Sequence, residues 1–186
     1  MINGAGTRCE NEVQLQHFVM RWFTRTLLIQ SVFIILCLGL LEERFIAFDP
    51  SPGAVAIHNS PILYSGDDFV GVRIAAESLA ADLTAVTGTE TVLLDITKAQ
   101  FRNASHFSST IIVGSINSTV IRNLAKNGTN ATFGFAELSG KWETFKTQVV
   151  KNPLPGIESA LVISGSDKRG AIFGIHTLAE QCGQSP

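Results

Sequence analysis

The segment with the most chemical promise is "GSDKRG", Gly165 to Gly170. It brackets a serine, a carboxylate and two cations with glycines, between an apolar run, "ALVIS", and an amphipathic one, "AIFGIHTLAEQCG". A glycine-bounded loop between strand and helix is where backbone N–H groups and the positive end of the helix dipole meet phosphates. The neighbouring residues argue against that chemistry. Gly165 and Gly170 have the spacing of the two glycines of a phosphate-binding loop, but Ala171 and Ile172 stand where lysine and a hydroxyl residue would reach the phosphates and magnesium. The dinucleotide-binding pattern fails too, because no glycine lies between the two. Helix capping by Ser166 or Asp167, with the glycines relieving tight backbone, is the stronger reading. Ser166, Asp167, Lys168 and Arg169 remain candidates for contact with a ligand or with a neighbouring domain.

Other reactive residue types are scattered. His17, His58, His106 and His176 show no HxH or HxxxH spacing, and Cys9, Cys37 and Cys182 form no zinc-type pair. No metal and no cofactor is expected. Cys9 and Cys37 fall before or within the apolar run near the start, so removal of that run would leave Cys182 without an intrachain disulfide. Stability then has to come from a packed core. Asn103-Ala-Ser105, Asn117-Ser-Thr119, Asn127-Gly-Thr129 and Asn130-Ala-Thr132 are all N-glycosylation acceptor patterns. Asn127 and Asn130 are close enough that one glycan is expected for the two.

The elements that position these residues begin at the front of the chain. Of 186 residues 45% are hydrophobic and 16% charged, with a net charge of -2, which suits one domain plus an appendage and gives no basic arm for nucleic acid. "TLLIQSVFIILCLGLL", residues 26–41, preceded by Arg21 and Arg25, reads as a signal-peptide core or an uncleaved membrane anchor, and residues 1–25 as a polar and basic lead-in. Met20 heads a compact basic segment and is the expected translation start. The chain is therefore expected to be secreted, or membrane-anchored through residues 26–41, which would be its only membrane contact.

From Phe45 the pattern alternates between strand and helix. "FIAF" and "AVAIH", separated by "DPSPG", read as a hairpin or paired edge strands. Gly71 to Gly88 carries an apolar stripe at Val72, Ala75, Ala76, Leu79, Leu83 and Val86, with Asp67 or Asp68 near its start and Gly88 as its stop. Strands are expected at Thr91 to Ile96, Thr110 to Gly114, Glu143 to Val150 and Ser159 to Gly165. The last two form an antiparallel hairpin across "KNPLPGI", with one face wet. Short helices are expected near residues 117–126 and 135–138. The sum is an α+β domain, a mixed sheet with packed helices, over residues 45–186.

"GKWE", "NPLPG" and "GSDKRG", in that order between Gly140 and Pro186, closely resemble the end of the N-terminal domain of glycoside hydrolase family 115, the xylan α-1,2-glucuronidases. A looser likeness runs upstream through "IIVGS" and "GVRIAAESLAADLTAVTG". "HTLAEQCGQ" departs from the family pattern at His176, Ala179, Cys182 and Gln184. The resemblance implies a two-layer accessory domain like that of hexosaminidases, preceded here by the hydrophobic segment. It also implies catalytic carboxylates in a following (β/α)8 barrel, before which this chain ends. Glycoside hydrolysis takes two carboxyl groups flanking one bond, about 5 to 9.5 Å apart. Asp67 with Asp68, Glu42 with Glu43, and Glu77 with Asp82 all read instead as surface carboxylates, and no catalytic residue is assigned. The expected function is the leading part of a secreted hydrolase acting on glucuronic acid side chains of xylan, with xylan or glucuronoxylan as substrate of a full-length parent. The alternative is a non-catalytic secreted or membrane-tethered glycoprotein module that binds carbohydrate or a protein partner.

Overall fold

The computed structural model describes residues 45–46, 52–98, 107–126 and 135–183. The apolar run 26–41, Met20, Cys9, Cys37, His17, His106, and the acceptors Asn103, Asn127 and Asn130 lie outside the described residues. Among the described residues no helix is long and apolar enough to cross a membrane.

The elements, in chain order, are β1 (Ile62–Tyr64), α1 (Val70–Thr87), β2 (Leu93–Asp95), β3 (Phe107–Ser115), α2 (Thr119–Lys126), α3 (Phe135–Leu138), β4 (Phe145–Lys151), β5 (Ile157–Gly165) and α4 (Lys168–Gln181). The strands form one mixed sheet in the order β2-β1-β3-β5-β4. The first four in that order run parallel, and β4 closes one edge antiparallel to β5, with Phe145 opposite Gly165 and Lys151 opposite Ser159. The hairpin read across "KNPLPGI" is therefore present.

The strand interiors are apolar at consecutive positions, not at alternate ones, and that decides the layering. Ile62, Ile111, Val113, Leu161 and Ile163 pack with α1 and α4 through Val72, Ala76, Leu79, Leu83, Ile175 and Leu178. Leu63, Ile112, Ala160 and Val162 point the other way and pack with Val120, Ile121 and Leu124 of α2. Parallel strands buried on both faces read as continuous apolar runs. The expectation of two layers is corrected accordingly: helices cover both faces of the sheet.

α1 forms where the stripe placed it, burying Val72, Ala75, Ala76, Leu79, Ala80 and Leu83. It ends on Gly88, whose φ of 68° lets its N–H reach Thr84 C=O at 2.9 Å. Val86 is an exception, 45% exposed, because the stripe turns off the sheet over the last helical turn. Neither Asp67 nor Asp68 caps this helix with its side chain; the cap position is Phe69. The reading of "AVAIH" as a strand is also corrected. Residues 54–58 are irregular, with Ile57 packed against the core and Ser60 N–H closing a turn onto Ile57 C=O at 3.2 Å, and the strand that pairs is Ile62–Tyr64 just after it. In β4 the wet face is incomplete: Val149 is 42% exposed whereas Val150 is buried at 2%. Phe145, on the Val149 side, lies against α4 close to Gly174.

Candidate functional site

Parallel strands bring their carboxyl ends to one edge. The segments after β1, β2, β3 and β5 gather there, joined by residues 142–144 leading into antiparallel β4. β1 leads into α1 on one face and β3 into α2 on the other, so the connections part between these neighbouring strands. A crevice of this kind is where open α/β sheets hold ligands.

In this chain the crevice is filled by the protein's own carboxylates. Asp68 accepts hydrogen bonds from Ser115 N–H at 2.7 Å, Ser115 Oγ at 2.8 Å and Phe69 N–H at 2.8 Å. Asp67 accepts from the Ser65 hydroxyl, from Thr119 Oγ1 at 2.6 Å and from Thr119 N–H at 3.3 Å, with an Arg122 guanidinium nitrogen 3.7 Å away. A carboxylate thus sits at the N-terminus of α2, where an anionic ligand would otherwise be favoured. Asp95, at the end of β2, accepts from Gly66 N–H at 2.9 Å, Thr97 N–H at 3.0 Å and Thr97 Oγ1 at 2.7 Å. Partial burial pushes the pKa of both Asp67 and Asp95 up. The hydrogen bonds outweigh it, from Ser65 and Thr119 in one case and Thr97 and Gly66 in the other, and hold both carboxyls below the ordinary value. Gly114 belongs to the same close fit, since a Cβ there would lie 2.6 Å from Ser118 Oγ and 3.2 Å from Asp68 Oδ2.

The loop "GSDKRG" lies on the same edge, at the far side of β5. Asp167 is the N-cap of α4: its Oδ1 accepts from Gly170 N–H at 2.8 Å, and its Oδ2 accepts from Glu143 N–H at 2.8 Å. Those backbone bonds, the Glu143 one first, hold its pKa down. Ser166 is buried; its N–H donates to Thr144 C=O at 2.8 Å and its Oγ accepts from Thr144 N–H at 3.0 Å. Arg169 pairs with Glu143. Lys168 makes no ion pair among the described residues, and its stem runs beside Gly71. The four predicted residues therefore split: Ser166, Asp167 and Arg169 converge on Glu143 and Thr144, whereas Lys168 turns toward the start of α1.

Both bracketing glycines are required by contact. A Cβ at Gly165 would lie 2.0 Å from Ala171 N, and one at Gly170 would lie 2.3 Å from Thr144 O. Neither position has room for a side chain, in agreement with the reading that these glycines relieve tight backbone. Next to this unit Trp142 is 80% exposed. Asn117 is exposed in the turn after β3, His58 and His176 are exposed, and Cys182 is buried with its thiol pKa raised by desolvation.

The surface reading holds for Asp67, which is exposed, but it missed the hydrogen bonds that Asp67 and Asp68 make, and Asp95 on the same edge carried no expectation. The available signal was position: "ILYSGDD" places two carboxylates directly after an apolar triplet, and "TIIVGS" ends in a hydroxyl residue whose backbone needs an acceptor.

No family model and no curated protein matches the chain. Among solved structures, it is similar to BtGH115A, a family GH115 4-O-methyl-α-glucuronidase with specificity for decorated arabinogalactans, at 24% identity and a TM-score of 0.48. The match covers 71% of this chain, which spans about 15% of the length of that enzyme.

Proposed function

We propose that this chain is a non-catalytic accessory module of a secreted glycoside hydrolase of the α-glucuronidase kind, acting in its parent on glucuronic acid side chains of xylan. The observation that carries the reading is the joint between "GKWE" and "GSDKRG", two of the three segments that carry the sequence resemblance. They lie more than 20 residues apart in the chain, yet Glu143 and Thr144 are locked to Ser166, Asp167 and Arg169 by backbone, side-chain and ionic contacts. Residues of these motifs build a rigid edge from which Trp142 projects, which is what a surface that positions another domain requires.

The carboxylates support the non-catalytic part. A glycosidase general acid needs a pKa raised toward neutrality. Asp67, Asp95 and Asp167 are all displaced downward, and each accepts hydrogen bonds from backbone N–H or hydroxyl donors. In the same reading residues 26–41 direct the chain into the secretory route.

Incubation of the purified chain with glucuronoxylan tests the first claim, and no release of uronic acid is expected. Release that disappeared in Asp68→Asn would overturn it. The docking role is tested by Lys168→Ala with Arg169→Ala in a full-length parent. Lost thermal stability with an unchanged KM is the expected result; a raised KM at unchanged stability would assign these residues to the sugar.

A further inference from the structure

We propose that Asn117 is an N-glycan acceptor whose sugar stands over the crevice between β1 and β3; the proposal rests on the secretory reading above for the compartment in which transfer occurs. Of the four acceptor patterns, Asn117-Ser-Thr119 lies wholly within the described residues. Ser118 N–H donates to Ser115 C=O at 3.0 Å and closes a β-turn with Ile116 and Asn117 at its centre. Ile116 turns inward at 8% exposure, whereas Asn117 is exposed, and among the described residues its side-chain amide makes no hydrogen bond. The residues around it are committed. Ser118 is buried and bonds Ser115 C=O through Oγ at 2.8 Å, and Thr119 Oγ1 donates to Asp67. A substituent on Asn117 therefore displaces no protein contact, and it leaves from the edge where ligands of open α/β sheets enter.

The chemistry is substitution at an anomeric carbon. Nδ2 of Asn117 attacks C1 of a lipid-pyrophosphate-linked oligosaccharide, the C–N bond forms, the C1–O bond to pyrophosphate breaks, the amide gives up one proton, and the lipid pyrophosphate departs. The hydroxyl of Thr119, part of the acceptor pattern, is held by Asp67 once β1 and β3 have closed. Transfer accordingly precedes that closure. Afterwards the glycan stands at the mouth already plugged by Asp67 and Asp68.

The test is expression of the full chain behind a cleavable secretion leader in cultured eukaryotic cells. Peptide mapping is done before and after enzymatic deglycosylation of material recovered from the secretory pathway. A glycan on the Asn117 peptide is expected. Asn117→Gln and Thr119→Ala should each remove the mobility shift of one glycan, and Thr119→Ser should keep it. An unmodified Asn117 overturns the proposal, whether or not Asn103, Asn127 or Asn130 carries sugar. The chain expressed without the added leader separates the two readings: its retention in the cytosol counts against the secretory reading while the acceptor result stands.

Discussion

Asp68 grips Ser115 twice, accepting its N–H at 2.7 Å and its hydroxyl at 2.8 Å across 47 residues of sequence. The pair ties the segment after β1 to the last residue of β3. Ser115 is fully buried, so loss of the carboxylate leaves a donor N–H and a hydroxyl without a partner. Asp68→Ala should cost about 2 to 3 kcal/mol, the range for charge-assisted bonds plus an orphaned buried donor. Ser115→Ala, which keeps the backbone bond, should cost about 1 kcal/mol. Urea unfolding of the two variants checks the order, and equal costs would show that the hydroxyl carries the whole effect.

The stripe of α1 offers a paired test of which residues are core. Leu79→Asp places a charge at a position 1% exposed and should unfold the domain, at a cost of several kcal/mol. Val86→Asp, at 45% exposure, should fall within about 0.5 kcal/mol of the parent. Melting temperatures by circular dichroism decide it.

Two glycines should respond for different reasons. Gly165→Ala drives a methyl into the start of α4, against backbone that cannot yield, and should prevent folding. Gly88→Ala meets open space and is strained only by a φ of 68°, so it should cost about 1 kcal/mol. Soluble yield separates the first from the parent, and denaturant midpoints separate the second.

Thr110 is fully buried in β3, and among the described residues its hydroxyl has no hydrogen-bond partner. Thr110→Val keeps the β-branched shape the strand prefers and removes a desolvated polar atom. The variant should be more stable than the parent by about 1 kcal/mol, read as a higher urea midpoint. A lower midpoint would mean that the hydroxyl is satisfied in solution.

Acid should destabilise the domain through the carboxylates of this edge. Asp67, Asp95 and Asp167 have folded pKa values below the ordinary 3.8. The stability each contributes is present above that value and is lost as pH falls through the lower, folded one. Through these carboxylates, unfolding free energy should be flat between about pH 5 and pH 7 and fall below about pH 4. Asp95→Asn should start lower and show a shallower acid limb, which titration of the urea midpoint from about pH 5 down through the limb below about pH 4 measures.

What the chain encodes locally was legible. The three-and-four spacing from Val72 to Leu83 specified α1, and Gly88 stopped it because only glycine takes the left-handed cap without cost. The prolines of "KNPLPGI" set the β4–β5 hairpin, and Asp167 before an apolar helix was one of two candidate caps. These signals depend on residues a few positions apart. Tertiary structure alone decided the strand order, the burial of the sheet on both faces, the exposure of Val86 and the partners of Asp67, Asp68 and Asp95. A continuous apolar strand does not say how many helices will cover it, and "AVAIH" looks as strand-like as the "ILY" that pairs. A carboxylate after a strand looks solvated until the parallel topology brings a distant N–H within 3 Å of it, as Ser115 is brought to Asp68. The periodicity of a segment is a property of neighbours in sequence, whereas its hydrogen-bond partners are set by which strand ends the fold places side by side.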